Sequence, residues 1–199
     1  MPHQLFMTAT PIPRTLAMTI FSDLDLSIID ELPPGRNPVK TVVLSNDKRL
    51  EITSRLQEVC KEGNQVYWLC TMIEDNDSFD VQSAETSLEW IREYAPELRS
   101  ELVHSKLSSE EKEKNIIDFR NGLIDISVCT TVIEVGMDVP NASLMIIENA
   151  ERLGLSQLHQ LRGRVGRGPD MNSFCALLYQ DPISAVSYTH LRAHETSLH

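Results

Sequence analysis

Three arginines and three glycines fall within Arg162–Gly168, in a chain of 199 residues that holds only 8 glycines. Arginine presents a planar fork of donors that suits phosphate oxygens. Glycine lets backbone come close to a ligand. A helix starting at Ser156 places Gln160 and Arg164 one turn apart, with Arg167 three residues further on. Three side chains spaced this way can converge on one ligand. The chemistry they suit is stabilisation of a transferring γ-phosphoryl, where an arginine finger is worth roughly 10³–10⁵ in rate. A solvated basic helix end is the plainer alternative, and the two interposed glycines speak against it.

A second constellation is Thr130–Pro140, which follows an apolar strand. That position is the carboxyl end of a parallel sheet, where ligands bind. Thr130 and Thr131 offer hydroxyls and N–H groups to a phosphate. Gly136 permits close backbone approach, and Asp138 can accept from a ribose hydroxyl or orient an arginine. The alternative is an ordinary cap and turn. Thr8-Ala9-Thr10 with Arg14 can relay contacts between nucleotide and nucleic acid, although by itself a capped helix start explains it better. Thr71 after Cys70, and His104-Ser105 beside Lys106, end two more strands and make a row able to track a phosphate backbone. Ile28–Glu31 looks like a magnesium-binding strand end but runs into Pro33-Pro34, so no metal site is assigned. No G-x-x-x-x-G-K-S/T phosphate loop occurs anywhere.

The elements that must hold these residues alternate. Gln4–Met7 reads as a strand, Pro13–Phe21 as a helix and Leu26–Glu31 as a strand. Leu32–Pro38, with three prolines and a glycine, reads as a linker and is the best domain boundary. Beyond it come strand Thr41–Leu44, helix Asp47–Glu62 stopped by Gly63, and strand Gln65–Cys70. Glu74–Ser83 is polar and reads as a loop, followed by helix Ala84–Tyr94 and strand Leu98–Val103. Ser108–Glu111 is a capping box opening a helix to Asn121. Strand Ile124–Cys129, a helical turn in Thr131–Val135, strand Leu144–Ile147, helix Ser156–Arg162 and strand Phe174–Tyr179 complete the series. Strand and helix in turn imply βαβ units around a parallel sheet, an α/β fold. The segment Val186–Thr196 shows no clear period. It resembles one reading frame of a transposase-type sequencing adapter, so the native sequence is expected to stop near Ala185. His190, His194 and His199 are therefore excluded from any metal reading.

A formal net charge of −11 argues against a generic nucleic-acid coat protein. It does not exclude an enzyme that gathers its cations in one groove. No apolar run approaches the roughly 18–20 residues of a membrane span, and no signal peptide is visible. Cys60, Cys70, Cys129 and Cys175 lie in apolar segments without a C-x-x-C pair, which points to buried thiols in a reducing cytosol.

Thr8–Thr10, Thr130–Asp138 and Gln160–Arg167 resemble motifs III, V and VI of superfamily 2 helicases. Longer runs, Met7–Arg14, Ile28–Arg36, Thr130–Asn141, Glu148–Arg152 and Gly154–Gly168, are similar to the RecG-type ATP-dependent DNA helicases over about residues 2–184. The transcription-repair coupling translocases share the first and last of these runs, but Asp30–Arg36 and Ile147–Arg152 fit the RecG type better. The resemblance implies a two-lobed, ATP-hydrolysing motor that remodels stalled forks and recombination junctions in DNA repair and recombination. ATP with Mg2+ lies between two RecA-like lobes. The partners implied are branched DNA and ATP, with no membrane, for a cytoplasmic monomer.

By the same resemblance, residues 1–36 are the end of the first RecA-like lobe and the interlobe linker. Residues 37–180 are the second RecA-like lobe, a parallel sheet with flanking helices, and 181–199 a non-native or disordered tail. Arg164 and Arg167 reach the phosphates with Gln160 in support. Gly136 and Asp138 lie at the nucleotide, Thr71, His104, Ser105 and Thr131 near the DNA backbone, and Thr8 and Thr10 couple the lobes. The phosphate loop, magnesium box, wedge domain and translocation hairpin of the family have no match here. The chain therefore reads as a fragment, inactive alone, with ATP held mainly by the missing first lobe. The alternative is a non-catalytic RecA-like module that binds nucleic acid or a partner.

Overall fold

Alternation along the strands dictates the layers. In strand β2, Gln65–Cys70, Val66, Trp68 and Cys70 pack to one side while Tyr67 and Leu69 pack to the other. Every residue of it is buried, as expected of a parallel strand covered on both faces. The computed structural model describes residues 37–71, 77–104, 106–130, 139–168 and 172–195, together with Ser27. Expectations for Gln4–Met7, Pro13–Phe21, Leu26–Glu31 and the turn in Thr131–Val135 fall wholly or largely outside them, as does most of the Leu32–Pro38 linker. Apart from Ser27, the described residues belong to one unit, Gly35–His199.

The remaining strands are β1 (Lys40–Ser45), β3 (Ser100–Val103), β4 (Ile126–Thr130), β5 (Ala142–Glu148) and β6 (Phe174–Tyr179). They form one six-stranded sheet in the order β1-β6-β5-β2-β4-β3, and every neighbouring pair is parallel. Helices α1 (Arg49–Lys61) and α2 (Asp77–Tyr94) cover one face. Ile52, Leu56, Ala84, Leu88 and Ile91 pack there on Trp68, Val128, Ile146 and Leu178. Helices α3 (Ser109–Arg120) and α4 (Leu155–Arg162) cover the other, with Phe119 and Leu158 on Tyr67, Leu69, Met145, Ile147 and Leu177. The expected α/β class with a parallel, helix-flanked sheet is what the chain forms.

Local signals explain most boundaries. Ser108 accepts from the Glu111 N–H while Glu111 accepts from the Ser108 N–H, so the capping box starts α3. Gly63 and Gly122 follow α1 and α3 with φ of 82° and 74°, conformations that glycine adopts without strain.

Two expectations are corrected. The polar stretch read as loop is already helical from Asp77. Val81, Ala84, Leu88 and Ile91 are its buried face, a helical spacing that the polar composition before it obscured. The tail, expected to be non-native or disordered, carries ordered structure through Glu195: helix α5 spans Ala185–Arg192. Ser184 caps it by accepting from the Ser187 N–H at 3.0 Å, and Leu191 is buried in the core. A cap and one buried leucine order a segment too short for its period to be read.

Candidate functional site

The arginine run begins where a helix stops. Leu158 buries one side of α4, and Gln157 Oε1 accepts the Gly154 N–H at 3.0 Å to close its start. The helix ends at Arg162, with the Gly163 N–H bonded to His159 O at 3.3 Å and the Arg164 N–H to Leu161 O at 2.9 Å. Gln160 is therefore helical while Arg164 and Arg167 lie on the turn that follows, which corrects the expected single helical face. Gly166 is the reason. Its φ is 72°, its N–H donates to Ala142 O at 3.1 Å, and an added Cβ would lie 2.6 Å from Ser173 Oγ. The turn is thus pressed onto the amino ends of β5 and β6, with Val165 fully buried.

Arg164 is half-buried, and Arg167 and Gln160 are exposed. Arg167 Nε donates to Gly163 O at 3.4 Å, which folds its side chain back along the turn. Arg162 points elsewhere: its Nη2 donates to Val39 O at 3.4 Å, so it ties the turn to the residues before β1. Two guanidiniums on a glycine-pinned turn are a donor set that fits phosphate oxygens.

The strand-end row lies at the opposite end of the sheet. Cys70 pairs with Thr130 and Val103 with Cys129, so Thr71, Thr130 and His104 finish three adjacent strands. Thr71 is fully buried, and its hydroxyl donates to Asn149 O at 3.2 Å. Its side chain braces the row, and no hydroxyl proton remains to offer outward. His104 is 8% exposed, and its Nδ1 accepts the Lys106 N–H at 3.1 Å. Ser105, Thr131, Gly136, Asp138, Thr8 and Thr10 lie outside the described residues. Strands of this length separate the arginine turn from the row by roughly 15–20 Å.

Sequence reasoning missed a buried polar group beside the row. Glu148 ends β5 and its Oε1 pairs with Arg49 Nη2 at 2.9 Å. Ser87 Oγ donates to Glu148 Oε2 at 2.9 Å, and Arg49 Nη2 donates to Ser87 Oγ at 3.0 Å. Cys70 Sγ donates to the same Oε2 at 3.5 Å. The Arg49 guanidinium stands over the rings of Trp68 and Trp90, at 5.4 and 5.0 Å. Arg49, Ser87 and Glu148 floor a cleft of about 360 Å³ whose rim includes Asn46, Thr86, Asn149 and Gln180. One signal was present in the sequence: an arginine opening a helix opposes the helix dipole, so it needs a carboxylate from elsewhere.

Burial pushes the thiols of Cys60, Cys70, Cys129 and Cys175 up, those of Cys60 and Cys175 to about 12. They are protonated and unreactive. Among the described residues there is no cluster of three metal-ligating side chains, and no helix long and apolar enough to cross a membrane.

Residues 48–169 match the model of the helicase conserved C-terminal domain, and the chain belongs to that family. Its sequence is 57% identical over 192 residues to the ATP-dependent DNA helicase RecG of Haemophilus influenzae, covering 96% of this chain. It is 45% identical over 182 residues to the RecG of Thermotoga maritima, covering 91% of this chain and 23% of that protein. The chain spans only 28% of the length of the Haemophilus relative. A solved structure of RecG bound to a three-way DNA junction superposes with a TM-score of 0.77 at 39% identity, over 96% of this chain and 25% of that one. The Saccharomyces cerevisiae protein Dbp5, solved with RNA and ADP BeF3, shares the fold at TM-score 0.64 and 13% identity, over 94% of this chain and 46% of that one. The RecG-type resemblance read from the motifs is borne out.

Proposed function

We propose that this chain is the C-terminal motor lobe of an ATP-dependent DNA helicase that remodels stalled forks and recombination junctions in DNA repair. The observation that carries the reading is the glycine-pinned turn presenting Arg164 and Arg167. Gly166 fixes the backbone against Ser173, so the two guanidiniums start from a rigid base and lose little freedom on meeting a ligand. Their role is to hold the terminal phosphate oxygens of ATP and neutralise the charge that grows there, with Gln160 one turn back in support. Bound ATP with Mg2+ supplies the phosphoryl group whose hydrolysis drives movement. Most of its contacts belong to a first lobe carrying a phosphate loop, a sequence this chain does not contain. Gly136 and Asp138 complete the nucleotide side, Thr8 and Thr10 couple the lobes, and His104, Ser105 and Thr131 serve the DNA side on a row that Thr71 braces from within. The chain works as a monomer in the cytoplasm.

The test is Arg167→Ala in the full-length protein, with DNA-stimulated ATP hydrolysis measured against a forked substrate. The expected loss is roughly 10³-fold or more. Hydrolysis within a few-fold of wild type would sink the assignment.

A further inference from the structure

Deepening the DNA-binding reading above, on which this inference rests, the geometry points to a specific chemistry at the end of β3. His104 meets the DNA backbone as a neutral imidazole, donating its Nε2–H to a phosphodiester oxygen while Nδ1 accepts the Lys106 backbone N–H.

The tautomer follows from one contact. A backbone N–H can only donate, so the Nδ1 it reaches at 3.1 Å must hold a lone pair. In the neutral ring the proton is then on Nε2. Protonating Nδ1 would set two N–H groups against each other and break that bond. The surroundings act in the same direction. Burial is the largest influence and holds the His104 pKa below its ordinary value, and the Lys106 ammonium adds to it. Glu85 on α2 opposes them and does not prevail. Among the described residues the His104 side chain makes one hydrogen bond, the one at Nδ1.

The nearby helix start disfavours an anion by charge. Glu111 already turns its carboxylate onto the Ser108 N–H and Ser108 accepts the Glu111 N–H, and Glu110 and Glu111 place negative charge in the first turn of α3. At this corner a phosphate oxygen finds its donor in the imidazole. A neutral donor displaces no counterion. His104 therefore adds affinity without adding to the salt dependence of binding.

Two measurements on the 199-residue chain test this. In the first, ring nitrogen and carbon NMR shifts of His104 are followed from about pH 8 down to about pH 6. The neutral Nε2–H tautomer is expected throughout. A Nδ1–H tautomer, or an imidazolium already formed above about pH 6.5, overturns the proposal. In the second, fluorescence anisotropy with forked DNA compares His104→Gln, whose amide donates near the Nε2 position, with His104→Phe, which has no donor. Binding by the Gln variant is expected to stay within a few-fold of wild type. The Phe variant is expected to weaken by roughly tenfold or more, the scale of a hydrogen bond to a charged group, with the slope against log salt unchanged. Equal binding by wild type and Phe variant overturns the proposal and leaves the DNA reading standing. A slope shallower by about one in the Phe variant overturns neutrality. If the wild-type chain binds no DNA at low salt, the DNA reading of the strand ends fails, and this contact fails with it.

Discussion

The two ends of the sheet hold the same kinds of residue in opposite ways. At the amino end, Asp125 accepts from Arg99 Nε at 2.9 Å and Nη2 at 2.6 Å, and from the Arg99 N–H at 2.9 Å. The Arg99 side chain is 54% exposed and also reaches Gly122 O at 2.9 Å. No side-chain atom of Arg99 or Asp125 is buried without a hydrogen-bond partner. At the carboxyl end the Arg49–Glu148 pair is buried, with side chains 18% and 8% exposed. There Arg49 Nε has no hydrogen-bond partner among the described residues. A solvated brace is forgiving because water takes the place of a lost partner. A buried pair is not, because a charge left alone has nothing to replace it. The arginine turn belongs to the forgiving end and is fixed instead by backbone.

Three substitutions probe that contrast by urea unfolding. Glu148→Ala strands the Arg49 guanidinium among Trp68, Trp90 and Ser87, and the expected loss is about 3–5 kcal/mol. Gly166→Ala meets both an unfavourable φ and the Ser173 side chain, for about 2–4 kcal/mol. Its far-UV spectrum is expected to stay native, because the clash is confined to one turn. Asp125→Asn is expected to lose only about 1 kcal/mol. An Asp125 variant as damaging as the Glu148 variant would erase the distinction between the ends.

The Asp125 arm also has a pH signature. Burial pushes its carboxyl up, but the Arg99 side-chain and backbone hydrogen bonds outweigh it and hold the pKa below the usual value. A lowered folded-state pKa gives stability that is present above about pH 4, the unfolded value, and is lost as pH falls through the folded one. The gap between wild type and Asp125→Asn should therefore narrow below about pH 4. A gap that widens on acidification would contradict the pairing.

What the sequence revealed depended on how far apart the determinants lie. β2 and β6 were legible to the residue, because an unbroken apolar run has one reading when both faces are covered. The capping box of α3 was legible because its parts lie within four residues. The arginine site was legible as composition, but its shape was not. The φ of Gly166 answers to Ala142 and Ser173, which sequence spacing does not bring together. Glu148 escaped for the same reason, since Arg49 and Ser87 approach it only after three elements have packed. The inward use of Thr71 escaped too: a threonine at a strand end looks the same whether its hydroxyl faces solvent or the carbonyl of Asn149.

The strand order carries a consequence for biosynthesis. Among the described strands β1 is translated first, and there its one sheet neighbour is β6, with Lys40 opposite Phe174. Asn46 and Gln180, just beyond that pair, are 134 residues apart. At about 5–20 residues per second, a ribosome needs roughly 7–27 s to cover that distance. During that interval β5 can pair with β2 while its outer edge stays open, and Thr41–Leu44 has no lattice to join. An open edge and a waiting apolar strand are templates for pairing with another chain. Of the described strands, the last made is thus the one that seats the first, and the newborn sheet is most exposed to misassembly just before β6 joins it.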